Sequence, residues 1–142
     1  MSRFVLPVRV YYEDTDVSGV VYHANYLRFF ERARTEWLRA LGLGQDALMR
    51  ELGVAFTVAN LEIDFRLPAR LDDVLEIHTE VPLIRRASIV FEQTLFRAGR
   101  PELLARAQVR VGCVGSADFR PVALPAPLEQ AIERWRQNAQ AA

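Results

Sequence analysis

The feature that most constrains this chain is a change of hydrophobic period part-way along it. Between residues 25 and 41, Tyr26, Phe30, Ala33, Trp37 and Leu41 recur at spacings of 4, 3, 4 and 4, and Leu27 and Leu38 widen the stripe. That is the pattern of a helix that buries one face. Past Gly53 the period becomes two. Leu61, Ile63, Phe65 and Leu67 alternate with Glu62, Asp64 and Arg66, and a second alternating run extends from Leu75 to Leu83. Residues 87–97 make a third run, and Ala105 to Cys113 a fourth. Successive side chains of a strand point to opposite faces, so each run reads as a half-buried strand. One apolar helix stripe and several one-sided strands are satisfied together when a sheet covers the helix.

The remaining segments fit that plan. FVLPVRVYY, residues 4–12, reads as a further strand closed by the polar EDTD, and Pro7 places its first half at a sheet edge. QDALMREL offers a short second helix, and PLEQAIERWRQ a terminal one after the proline-rich RPVALPAP. The separators PARLDD, IRR and AGRPE are short, which predicts antiparallel neighbours joined as a meander. Arg28, Arg32, Glu36 and Arg39 occupy the far face of the long helix, so that face belongs near the helix ends, in water or against another subunit. The expected class is α+β, with one antiparallel sheet around one long helix. A length of 142 residues suits a single domain spanning 1–142.

Composition removes several classes of function. Eighteen acidic residues balance 18 basic ones, all of them Arg, so the long-range field that draws a protein to nucleic acid is missing. No apolar run approaches the roughly 18 residues that span a bilayer. A lone cysteine, Cys113, and an opening segment without a leader pattern point to the cytoplasm. Two histidines and one cysteine scattered over strand and loop do not make a zinc site. No phosphate-cradling glycine loop and no G-x-S-x-G elbow occurs, and no cofactor is expected.

Chemistry concentrates in the stretch from Tyr11 to Tyr26, YYEDTDVSGVVYHANY. Glu13, Asp14, Asp16 and His23 lie here between a strand and a helix start, with Gly19 free to adopt a backbone that other residues resist. The unsatisfied amides of a helix start stabilise negative charge. A carboxylate and an oxyanion site could therefore adjoin. From the residues alone a second reading stays open, in which the acids merely solvate the loop or cap the helix.

The string YYEDTDVSGVVYHANYLRFFERAR resembles the signature of the 4-hydroxybenzoyl-CoA thioesterase superfamily. It is most similar there to the acyl-CoA thioesterases associated with the bacterial Tol-Pal system. The resemblance is dense over residues 8–38 and continues through FRLPARLDDVLEIHTEV and RPVALP. It implies a hot-dog fold, a homo-oligomer (dimer or tetramer) with its site at a subunit interface, and hydrolysis of acyl-CoA to free acid and coenzyme A. It also implies site residues: Asp16 as the catalytic carboxylate, acting as nucleophile or as general base; His23 as the residue whose helix-start amide faces the thioester oxygen; and Tyr12 as an aromatic beside them. Coenzyme A phosphates need cations, and Arg85 and Arg86, at a turn between strands, are the candidates, with a plain exposed turn as the other reading. Two rival functions are a hydratase acting on acyl-CoA or acyl carrier protein, and a non-catalytic acyl-binding subunit.

Overall fold

Residues 2–141 are described by a computed structural model, with side chains as far as Asn138. Met1 and Ala142, which the expected 1–142 domain includes, lie outside the described residues. The elements run β1 (Phe4–Arg9), a 3-10 turn (Tyr12–Asp14), α1 (His23–Ala40), α2 (Gln45–Leu52), β2 (Val54–Phe65), β3 (Val74–Ile84), β4 (Ser88–Arg97), β5 (Leu103–Gly115) and α3 (Ala126–Ala141).

The five strands form one sheet in the order β1-β3-β4-β5-β2, every neighbouring pair antiparallel. The expected meander holds for β3, β4 and β5 only. β2 does not pair with β3; it crosses to the far edge and pairs with β5. The connection between β2 and β3 is long enough to pass the helix start, and it is there that it meets the candidate site. β1 is an edge strand, as Pro7 predicts.

α1 lies over the sheet nearest to β1 and β3. Phe29, Phe30, Ala33 and Trp37 are completely buried beneath it. Each large side chain sealed in this way stabilises the fold by roughly 2–3 kcal/mol through loss of water contact. These aromatics are core, and Trp37 stacks edge-on with Phe91 and with Trp135 of α3. One polar residue joins helix to sheet: Gln93 of β4, fully buried, donates from Nε2 to Phe30 O (2.9 Å) and to Thr79 Oγ1 (3.0 Å). Its Oε1 accepts from Arg34 Nη1 at 3.0 Å.

β2 begins at Val54, seven residues before its alternation is visible in the sequence. The cause is a bulge: the register with β5 shifts between Val58 and Asn60. The extra residue, Ala59, changes the parity, so that Phe56 and Val58 share a face with Leu61, Ile63 and Phe65. β1 ends three residues earlier than expected, because Tyr11 and Tyr12 are drawn into the turn that follows. α1 starts two residues earlier, at His23.

Candidate active site

The segment between β1 and α1 folds as a tight hairpin. Asp14 and Thr15 donate their amides to Tyr11 O and Tyr12 O, both at 3.0 Å, which makes the 3-10 turn. Thr15 then bridges Val21, Asp16 N donates to Val20 O (3.0 Å), and Gly19 N returns to Asp16 O (3.1 Å). Gly19 has φ of +82°, a left-handed value that a side chain would resist, so the turn depends on it. The hairpin is anchored on the loop before β3: Val21 N donates to Ala69 O at 2.8 Å, and Leu71 N to Gly19 O at 3.3 Å.

The three acids of this loop have different environments. Asp14 is 4 % exposed and braces the hairpin from inside. Its Oδ2 accepts from Tyr11 N (2.9 Å), its Oδ1 from Asn25 Nδ2 (2.8 Å), and its backbone oxygen from Tyr22 N (2.9 Å). Asn25, itself buried, thereby ties the first turn of α1 to the hairpin. Glu13 is exposed. Asp16 is exposed as well, and its Oδ1 accepts from both the amide (2.8 Å) and the hydroxyl of Ser18. Those two donors, the hydroxyl first, hold its carboxyl below the ordinary carboxylate range against a small opposing effect of burial. Its other oxygen has no partner among the described residues.

At the start of α1, Tyr22 is extended and no side chain caps the helix. Asn25 N donates to Tyr22 O at 2.8 Å, and the amides of His23 and Ala24 remain for a ligand at the positive end of the helix dipole. None of the neighbouring acids caps this helix, which removes the bland reading of EDTD as a cap. From the Thr15–Val21 bridge, Asp16 and His23 lie in opposite directions along the hairpin, one residue beyond Thr15 and two beyond Val21.

The exposed His23 ring packs against Tyr22, centroids 4.6 Å apart. His23 also lines a cleft of about 290 Å³ with Val21, Tyr26, Phe65, Leu67 and Pro68. Tyr26 Oη accepts from Ala69 N at 3.0 Å, and burial pushes its phenol pKa up, opposed by that amide. Tyr12 lies on the hairpin before Asp16 with 81 % of its surface open to solvent.

Arg85 and Arg86 are not brought to this place. Both are exposed just after β3, whereas the hairpin abuts the residues just before it, so the length of β3, roughly 30 Å, separates them from the same chain's Asp16. His78 is half-buried, its ring centroid 5.0 Å from that of Phe96, with Arg3 and Glu76 at its ring nitrogens. Cys113 is a buried small hydrophobe whose thiol pKa burial pushes up. Two site residues escaped the sequence reading in their present roles. Ser18, two residues after an Asp, carries an Asx-turn pattern; Asn25, in the first helical turn, signals a cross-link to the loop.

Residues 18–104 match the family model described as the thioesterase superfamily. The chain is 51 % identical to the acyl-CoA thioesterase YbgC of Haemophilus influenzae, over 95 % of this chain and 98 % of that one. It is 52 % identical to the acyl-CoA thioester hydrolase YbgC of Escherichia coli, over 87 % and 91 %. Its fold is similar to the crystal structure of a 1,4-dihydroxy-2-naphthoyl-CoA thioesterase from Synechocystis, with a TM-score of 0.84 at 28 % identity, over 92 % and 95 %. The sheet and long helix are the hot-dog arrangement.

Proposed function

The chain belongs to the thioesterase superfamily and hydrolyses acyl-CoA thioesters, and on that premise we propose that Asp16 supplies the reacting carboxylate and the His23 amide the oxyanion contact. The observation that supports this reading is the uncapped start of α1, entered from a hairpin that holds an ionisable, half-occupied carboxylate. The thioester carbonyl lies between them. As its carbon is attacked, charge moves to the oxygen, and the His23 amide stabilises it; one such donor is worth about 10²–10³ in rate elsewhere. In one route Asp16 removes a proton from the attacking water. In the other its free oxygen attacks, giving an anhydride that water then opens. In both, the C–S bond breaks, the thiolate leaves and takes a proton, and the acid and free coenzyme A are released. The Ser18 donors keep Asp16 ionised, which both routes require.

The protein works as a homo-oligomer in this reading, a second copy covering apolar side chains such as Tyr12 and Phe65 that stand open to solvent in one chain. Arg85 and Arg86 then hold the coenzyme phosphates of a site whose Asp16 belongs to another copy. A cytoplasmic location without a nucleic-acid partner agrees with the zero net charge and with the absence, among the described residues, of a helix long and apolar enough to cross a membrane. The test is thiol release from a panel of acyl-CoAs by wild type and Asp16→Asn. The variant should lose at least 10³-fold in kcat while melting like wild type, and undiminished turnover would overturn the assignment. Tyr12→Phe should cost less than tenfold.

A further inference from the structure

Phe119 is set in a way that stability does not explain. It lies in the turn of residues 116–120 after β5 with φ of +58°, a left-handed backbone that a bulky side chain resists. Among the described residues only Asp72 shares that condition without being glycine, and Asp tolerates it far better. The ring gains little in return, since 67 % of the residue stands in solvent. Three hydrogen bonds and one close approach nevertheless impose the conformation. Phe119 N donates to Gly115 O and Gly115 N to Arg120 O, both at 2.9 Å, and Arg120 N donates to Asp118 Oδ1 at 3.1 Å. Gly115 itself is required, because a Cβ there would lie 2.8 Å from Asp118 Oδ1. Backbone outliers enforced in this way by the structure around them concentrate where proteins clamp ligands.

The same end of the sheet carries three cations. After the turn, the chain returns along the end of β5: Val122 N donates to Cys113 O at 3.0 Å, and Leu124 N to Arg86 O at 2.8 Å. Cys113 N donates to Ala87 O on that same side. Ser88 stands opposite Gly112 and Arg120 is bonded to Gly115, so three residues of β5, about 10 Å, separate the end of the Arg85–Arg86 turn from Arg120. Arg85, Arg86 and Arg120 are all exposed, and no carboxylate pairs with their guanidinium groups among the described residues. An open aromatic face beside unpaired forked donors matches a ligand that joins a flat base to phosphates.

Building on the reading in which Arg85 and Arg86 hold the coenzyme phosphates, we propose that Phe119 is the platform on which the adenine ring of coenzyme A stacks. Arg120, the next residue, adds a third cation for the phosphates beside that base. The turn holds the ring in place before the ligand arrives, so little freedom is lost when the base settles on it. The nucleotide end is then gripped by the copy that supplies these arginines, while the thioester reaches another copy's Asp16.

The test is thiol release by wild type, Phe119→Gly, Phe119→Ala and Phe119→Trp from one acyl group carried on coenzyme A and on pantetheine. Loss of a base stack should raise KM for the acyl-CoA roughly tenfold in the Gly and Ala variants. It should leave kcat and the acyl-pantetheine KM unchanged, as expected for an interaction equally strong in ground and transition states. Phe119→Trp, which keeps an aromatic face, should hold the acyl-CoA KM near that of wild type or lower it. Phe119→Gly also removes the backbone conflict, so its Tm should not fall, whereas its inhibition by adenosine 3′,5′-bisphosphate should weaken. An acyl-CoA KM unmoved in both the Gly and Ala variants, or equal rises for the two substrates, overturns the platform. A change of solution mass in those variants also overturns it, by making Phe119 a contact between copies. If Phe119→Gly acts as expected while Arg85→Ala with Arg86→Ala affects both substrates alike, the reading of the two arginines falls and the platform stands.

Discussion

Asp14 offers the sharpest check on how the catalytic hairpin is held. In Asp14→Asn the remaining side-chain oxygen keeps Tyr11 N, and the new NH₂ faces Asn25, which meets it only by turning its own amide so that Oδ1 accepts. Two hydrogen bonds to a carboxylate, worth roughly 1.5–3 kcal/mol each, become bonds between neutral groups worth about 0.5–1.5 kcal/mol each. A net loss of about 2–3 kcal/mol is a sizeable part of the roughly 5–15 kcal/mol that holds a domain of this size, and at about 2–4 °C per kcal/mol it lowers Tm by roughly 5–10 °C. Activity should fall separately. Asp14 joins the strand that carries Asp16 to the helix start that carries His23, and a displacement of about 1 Å can cost 10²-fold. Thermal melts, together with kcat at a temperature where the variant is folded, separate the two effects. The reciprocal exchange, Asp14→Asn combined with Asn25→Asp, restores both contacts: the new amide on the hairpin accepts from Tyr11 N and donates to the new carboxylate on the helix. It should recover at least half of the lost stability. A single variant that melts within about 1 °C of wild type, or an exchange that recovers nothing, refutes the brace.

Ser18→Ala removes the hydroxyl that contributes most to holding Asp16 ionised. Its carboxyl pKa should rise, so the acid limb of the kcat/KM profile moves to higher pH, and a limb that stays or moves lower contradicts the assignment. The sign for stability agrees: a depressed carboxylate adds stability above its unfolded pKa and loses it as pH falls through the folded one, and for so exposed a group the effect is small. Arg85→Ala with Arg86→Ala should raise KM for acyl-CoA severalfold and leave KM unchanged for the same acyl group on a pantetheine thiol, which lacks the nucleotide phosphates. Equal effects on both substrates would remove these residues from coenzyme recognition.

Legibility varied with the physics involved. The α1 stripe from Tyr26 to Trp37 was readable because a buried helix face repeats locally. β3, β4 and β5 were readable for the same reason at period two. The N-terminal half of β2 was hidden, since one inserted residue at Ala59 breaks alternation without ending the strand. Strand order was hidden too, because pairing of β2 with β5 is a contact between residues some fifty apart, and short separators speak only of neighbours. Within the site, the motif marked Asp16 and His23 together, but it could not distinguish Asp14 as the buried brace from Asp16 as the exposed carboxylate. Burial and hydrogen-bond partners decide that, and both depend on the loop closing on Asn25. The distance of Arg85 and Arg86 from Asp16 likewise follows from the length of β3, which only the fold turns into a separation.

The bare first turn of α1 sets durability against use. A Ser or Asp in place of Tyr22 could satisfy those amides from within, an exchange that typically strengthens a helix by about 1 kcal/mol. Selection for heat resistance alone would favour such a replacement, and the hardier descendant would have filled the position that the substrate's oxygen needs. Breeding a tougher version of this enzyme therefore has to screen for turnover at every round.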